Sequence, residues 1–112
     1  MKEYDLGEIV LLSFPFADAV SAKRRPAMVL LDTGDEDILV ARVTSQIAQT
    51  NFDIDIKDWM QAGLQLPSVV RVDKVATLEK RLVVKKLGVL TSNDYTQILE
   101  RIKYLCDLVT GS

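Results

Sequence analysis

The chain contains no histidine and only one cysteine among its 112 residues. The missing histidine removes Ser-His-Asp triads, Cys-His dyads and nuclease chemistry built on paired imidazoles. It also removes the commonest zinc ligand. Cys106 alone cannot close an internal disulfide or build a cysteine zinc site, so it says only that a reducing compartment is permitted. Long apolar runs are absent too: nothing approaches the roughly 18 residues needed to span a bilayer. The opening Met1-Lys2-Glu3-Tyr4-Asp5 lacks the basic start and apolar stretch of a signal peptide. The expectation is a cytoplasmic protein without membrane association. An excess of cations is lacking as well, with 14 Lys+Arg against 16 Asp+Glu and a net charge of −2. Binding to an acidic polymer therefore needs a local patch. Any chemistry must run on Arg, Lys, Asp, Glu, Ser, Thr or Tyr.

What is present fits one globular domain over residues 1–112. A chain this long buries roughly two thirds of its unfolded surface, and 48% hydrophobic with 27% charged residues is ordinary for a folded protein. Residues 9–14 form a short apolar run rich in β-formers, the pattern of a strand covered on both faces. A loop over residues 15–25 follows, ending in Lys23-Arg24-Arg25. Pro26 opens a second strand over 27–31, the turn residues Asp32-Thr33-Gly34-Asp35 suggest a hairpin, and 38–43 supplies the partner strand. Residues 51–56 alternate, with Phe52, Ile54 and Ile56 on one side and Asp53 and Asp55 on a solvated side. Residues 58–63 read as one helical turn closed by Gly63. Strands over 68–72 and 82–90 follow, the latter bent or bulged at Gly88. Thr91 to Asp94 offers helix-capping side chains. Tyr95, Ile98, Leu99, Ile102, Leu105, Cys106 and Val109 then recur at helical spacing, up to Gly111 as a C-cap. The expected fold is mainly β: a small, strongly bent barrel with a short internal helical turn and a C-terminal helix.

Two places carry candidate chemistry. In Lys23-Arg24-Arg25-Pro26 the proline fixes its own φ and biases Arg25 towards extended geometry. A guanidinium held there suits bidentate phosphate binding; the alternative is a solvated basic loop. Thr44-Ser45-Gln46 places two hydroxyls and an amide at a strand end, where function often resides, though such residues also close strands by bonding nearby backbone. Antiparallel pairing of 27–31 with 38–43 would bring Arg25 and Thr44 to the same end of the ribbon.

The ordered set Gly7-Glu8-Ile9-Val10-Leu11, Phe14-Pro15-Phe16-Ala17-Asp18, Arg24-Arg25-Pro26-Ala27-Met28-Val29-Leu30 and Val43-Thr44-Ser45-Gln46 resembles the MazF/PemK toxin family. Pro67-Ser68-Val69-Val70 through Val75 to Leu82 is similar to the family's second block, and the terminal helix also fits. The resemblance implies an SH3-like barrel of the CcdB/PemK type, a homodimer, and a sequence-specific endoribonuclease held inactive by a cognate antitoxin. It implies cleavage of single-stranded RNA without metal or other cofactor, to a 2′,3′-cyclic phosphate and a 5′-hydroxyl. The catalytic arginine of the family falls on Arg25 and its catalytic threonine on Thr44. Lys23, Arg24, Ser45, Gln46 and Ser68 become substrate-binding candidates. A free guanidinium titrates above about 12, so a phosphate clamp suits Arg25 better than a proton carrier.

The sequence departs from the family pattern at Ala76, where many relatives carry a basic residue, and at Lys74, where glutamine is frequent. Both changes bear on RNA preference. A second reading is a non-catalytic toxin of the same fold that binds a protein such as DNA gyrase. Trp59 reads as packing, with stacking on a base as the alternative, Tyr95 and Tyr104 as core or dimer contacts, the acidic turn at Asp32, Asp35, Glu36 and Asp37 as solvated, and Lys85-Lys86 as a groove extension or an exposed edge.

Overall fold

The computed structural model describes residues 1–15 and 22–111, with side chains at all of these except 14, 15 and 22. Residues 16–18 of the loop motif lie outside that set. Six antiparallel strands form one sheet: β1 (Glu8–Pro15), β2 (Ala22–Leu31), β3 (Asp37–Thr44), β4 (Asp53–Ile56), β5 (Ser68–Glu79) and β6 (Val83–Val89), in spatial order β4-β5-β3-β2-β1-β6. A 3-10 turn (Lys80–Leu82) joins β5 to β6, and helix α1 (Ser92–Thr110) follows. The mainly-β architecture with a terminal helix is the expected one. The barrel is open, with β4 and β6 as its edges among the described residues.

The strands read as near-continuous apolar runs because both faces of the sheet are covered. Ile9, Met28, Ala41, Val43, Val70 and Val72 point into one buried cluster. Their sequence neighbours Val10, Ala27, Val29 and Val40 point into another with Leu12 and Ile38, as the period of two requires. Fully burying an Ile or Met contributes about 1.5–3 kcal/mol. Helix α1 lies against the first cluster through Tyr95, Ile98 and Ile102, and Trp59 packs there too. Tyr104 is half exposed and stacks on Phe52 at 5.8 Å between ring centres.

Several segments differ from the sequence reading. The cations 23–25 belong to strand β2, since pairing with β1 continues to Pro15↔Ala22. Strand β5 runs on to Glu79, well past residue 72, because β3 offers partners along its whole length. Residues 58–63 form turns rather than a helix, with Ala62 N donating to Asp58 O at 3.1 Å. Asp53 is buried rather than solvated. Asp32 also faces inward: its carboxylate accepts from Glu3 N at 2.7 Å, Tyr4 N at 3.0 Å and Gly34 N at 2.9 Å, and pairs with Lys80 Nζ at 2.8 Å. It ties the N-terminus and the end of β5 to the hairpin turn.

The 57–66 segment is clamped from two sides. Asp94, fully buried in the first turn of α1, accepts from Lys57 N at 3.0 Å and Asp58 N at 2.8 Å. The N-cap Thr91 donates its hydroxyl to Asp58 Oδ2 at 2.6 Å. On the other side Gly63 has φ +86, and a Cβ there would stand 2.1 Å from Leu87 O of β6. Only glycine meets both conditions.

Gly63→Ala is expected to destabilise the protein by more than about 2 kcal/mol, read as the shift of the urea unfolding midpoint. For Asp32, burial disfavours the charge, but Lys80 and the three amides outweigh it and hold the carboxyl well below its ordinary 3.8. A depressed folded value contributes stability that is complete above the unfolded pKa and lost as pH falls below it. Asp32→Asn is therefore less stable than wild type near pH 7, and the gap narrows as urea unfolding is repeated towards pH 3 and below. A gap that stays constant with pH contradicts the assignment.

Candidate active site

The site forms where two strands part. β2 and β3 pair at Ala27↔Arg42, Met28↔Ala41 and Val29↔Val40. Continuing that register outward by two residues sets Arg25 opposite Thr44. Among the described residues the ladder stops at Ala27. Residues 22–26 of β2 stay paired with β1 alone, while β3 continues beside β5, with Thr44 opposite Val69. A strand paired on one side only is where an internal proline is tolerated, and Pro26 sits there.

The gap between the strands is part of a groove of about 350 Å³ lined by Arg24, Arg25, Arg42, Thr44, Ser45 and Ser68. Leu64, Leu66 and Leu87 give it apolar walls. Leu64 and Leu66 belong to the segment that Gly63 and Asp94 hold in place, and Leu87 is the β6 residue Gly63 packs against, so the clamps described above also shape the groove.

The polar side chains are fixed locally. Thr44 Oγ1 accepts from Gln46 N at 3.2 Å, a turn that positions the hydroxyl and leaves its proton available to donate. Ser68 donates its hydroxyl to Leu66 O at 2.8 Å, a structural use of that proton. The loop after Thr44 is pinned by Asp53, whose Oδ2 accepts from Gln49 N at 2.8 Å and Thr50 N at 3.3 Å, while Oδ1 accepts from Arg71 Nε at 3.1 Å. Burial would raise the Asp53 pKa; the Gln49 amide and Arg71 overcome it and hold the carboxyl below its usual range.

The groove's charge is one-signed. Arg24, Arg25, Arg42 and Lys85 line it, and no Asp or Glu does among the described residues. None of these four cations makes an ion pair among the described residues. Lys86, by contrast, pairs with Glu8. Guanidiniums that make no ion pair among the described residues, in a partly apolar cleft, suit an anion with several oxygens, above all phosphate.

Of the residues singled out in the sequence, Arg24, Arg25, Thr44, Ser45 and Ser68 share this groove. Lys23 lines a neighbouring hollow together with Arg25, and Gln46 lines another with Ser45 and Ser68. Lys85 joins the groove whereas Lys86 does not. Arg42 and Gln65 were not legible as site residues. Arg42 did carry a signal: it stands two residues before Thr44 in one strand, so alternation puts both on one face.

The family model describing the PemK-like, MazF-like toxins of type II toxin–antitoxin systems matches residues 5–106. Among curated proteins, none matches the sequence closely. The fold is similar to MazF in a MazE–MazF complex from Deinococcus radiodurans, with TM-score 0.73 and 20% identity over 92% of this chain and 95% of that one. It is similar also to an endoribonuclease bound to its cognate antitoxin from a mycobacterial species, with TM-score 0.71 and 16% identity over 95% of this chain and 97% of the other. A third, the Mycobacterium tuberculosis toxin MazF-mt6, gives TM-score 0.68 and 20% identity over 88% and 96%. With the family model covering nearly its whole length, the chain belongs to the PemK-like, MazF-like toxins of type II toxin–antitoxin systems.

Proposed function

We propose that the protein is a cytoplasmic, homodimeric endoribonuclease toxin that cuts single-stranded RNA at preferred sequences without a metal and is neutralised by a cognate antitoxin. The observation that carries this reading is the groove lined by both Arg25 and Thr44, with Arg24, Arg42 and Lys85 beside them and no acid among its described lining residues. A toxin acting purely by binding a protein has no need of such a phosphate-shaped pair.

In the reaction the ribose 2′-oxygen bonds to the adjacent phosphorus while the bond from phosphorus to the 5′-oxygen breaks. The 2′-hydroxyl loses its proton and the 5′-oxygen gains one. The products are a 2′,3′-cyclic phosphate and a 5′-hydroxyl. Charge gathers on the non-bridging oxygens in the transition state. Arg25 meets two of them with its planar fork of N–H donors, and the Thr44 hydroxyl donates a further bond. A preorganised donor of this kind is worth up to about 4 kcal/mol in a sheltered site. Arg24, Arg42 and Lys85 hold the flanking phosphates as fixed charges, and Ser45 and Gln46 offer further polar contacts at the strand end.

Incubation with a long single-stranded RNA in the presence of EDTA is expected to give fragments ending in cyclic phosphate. Arg25→Ala lowers the rate about 10²–10³-fold and Thr44→Ala about 10–100-fold, with the fold unchanged by circular dichroism because Arg25 is exposed. RNA that stays intact across diverse sequences would sink the reading.

Binding is expected to be strongly salt-dependent. Affinity for an uncleavable 2′-O-methyl RNA, followed by fluorescence anisotropy, falls steeply as salt rises. Arg24→Gln and Lys85→Gln each reduce the logarithmic slope by about 0.7, the value for one phosphate contact on a single strand. A flat salt response removes this cluster from the binding site.

A further inference from the structure

A second hollow, of about 590 Å³, shares Arg25 and Arg42 with the groove. Its walls are apolar, from Ala27, Val40, Ala76 and Leu78, and Lys23 and Lys74 also line it. Asp73 is the one acidic residue that lines it among the described residues. Asp73 stands there because of a bulge. Arg42 faces Arg71 across β3 and β5, but Ala41 faces Val75, so residues 72–74 have no opposite number. Bulges of this kind re-aim side chains and occur beside active sites.

The Asp73 carboxylate is poorly satisfied. Its Oδ1 is covered by protein and has no hydrogen-bond partner among the described residues. Its Oδ2 has Lys74 Nζ no nearer than 3.9 Å. About a quarter of the side chain stays exposed (26%), and the terminal torsion of an aspartate is broad, so either oxygen can turn to a donor that enters. A covered acceptor without a donor is costly and calls for an explanation in a folded protein.

We infer that this hollow seats the base beside the scissile phosphate, and that Asp73 selects bases carrying an exocyclic amino group over uracil. The inference rests on the reading of the groove as an RNA site. With Arg25 on the scissile phosphate and Arg42 on a flanking one, the nucleotide between them is delivered into the hollow the two arginines share. Its apolar walls take the faces of the ring. The amino N–H of cytosine, adenine or guanine donates to Asp73; uracil presents a carbonyl oxygen in place of the cytosine amine, which a carboxylate repels. Sites built to hydrogen-bond one group reject the analogue that lacks it far more strongly than apolar pockets do.

The test is cleavage of a randomised RNA pool with sequencing of the ends produced. Wild type is expected to favour cytosine over uracil about tenfold or more at one position next to the cut. Asp73→Asn, whose amide both donates and accepts, brings that ratio to about threefold or less. A substrate-side arm needs no variant: pyrimidin-2-one, which lacks the amine, placed at that position loses the advantage of cytosine with wild-type protein. An unchanged cytosine-to-uracil ratio at every position in Asp73→Asn, or a uracil preference at every position in wild type, overturns the inference. If wild type cuts no RNA, the proposed activity fails on its own. The hollow is then decided by anisotropy with paired 2′-O-methyl RNAs differing only in cytosine or uracil: equal affinities reject it, and a cytosine advantage lost in Asp73→Asn supports it.

Discussion

The register of β2 against β3 is the constraint on which the rest of this molecule depends. Ala27 opposite Arg42 puts Met28 and Ala41 into one apolar cluster and Ala27, Val29 and Val40 into the other. Both faces of the sheet are covered, so a slip of one residue would exchange the two clusters and strand every side chain on the wrong side. Where the two strands part beyond that pair, Arg25 and Thr44 line the same groove. Core packing thus enforces the alignment of the site, although neither of those residues contributes to a core cluster.

The distribution of charge explains how a slightly acidic chain presents a cationic groove. Its carboxylates find partners elsewhere: Asp32 with Lys80, Asp53 with Arg71, Glu8 with Lys86, Glu79 with Arg81 and Lys2 with Asp5. The exposed pairs among these add little stability, but each places its acid away from the groove. What remains there is Arg24, Arg25, Arg42 and Lys85 with no acid among the lining residues. A field of this kind is local, and a whole-chain sum cannot report it.

Features decided by neighbours in sequence were legible before the structure. The hairpin around Gly34, the capping Thr91 and Gly111, the helical stripe from Tyr95 and the convergence of Arg25 with Thr44 all follow from short-range patterns. Features decided by distant partners were not. Asp53 alternates like a solvated residue, yet it is buried because Arg71, eighteen positions on, reaches it along with two loop amides. The length of β5 and its bulge at residues 72–74 depend on β3, which lies far back in the chain. Arg42 looked like an ordinary strand residue until the parting of β2 and β3 turned its end of the ribbon into a groove wall. The acidic turn misled for the same reason: Asp32 is drawn inward by Lys80 and the N-terminal amides, contacts that no local window contains.

The absence of histidine acquires a structural counterpart in the way the groove is held. On the proposed reading, a site without an imidazole to shuttle protons works through charges and donors already in place, and such groups help only if they do not reorganise during the reaction. Each part of the groove is fixed from behind. Pro26 stiffens the base of Arg25, the Gln46 amide orients Thr44, Asp53 pins the following loop, and the Gly63–Leu87 contact with the Asp94 clamp sets the apolar wall. All but the Gln46 turn use groups that never touch the groove's charge. A carboxylate placed inside the groove could have held the arginines more simply, but it would have occupied the guanidiniums and cancelled the field an incoming phosphate needs. Anchoring the walls through buried aspartates outside the groove, Asp53 and Asp94, avoids that conflict.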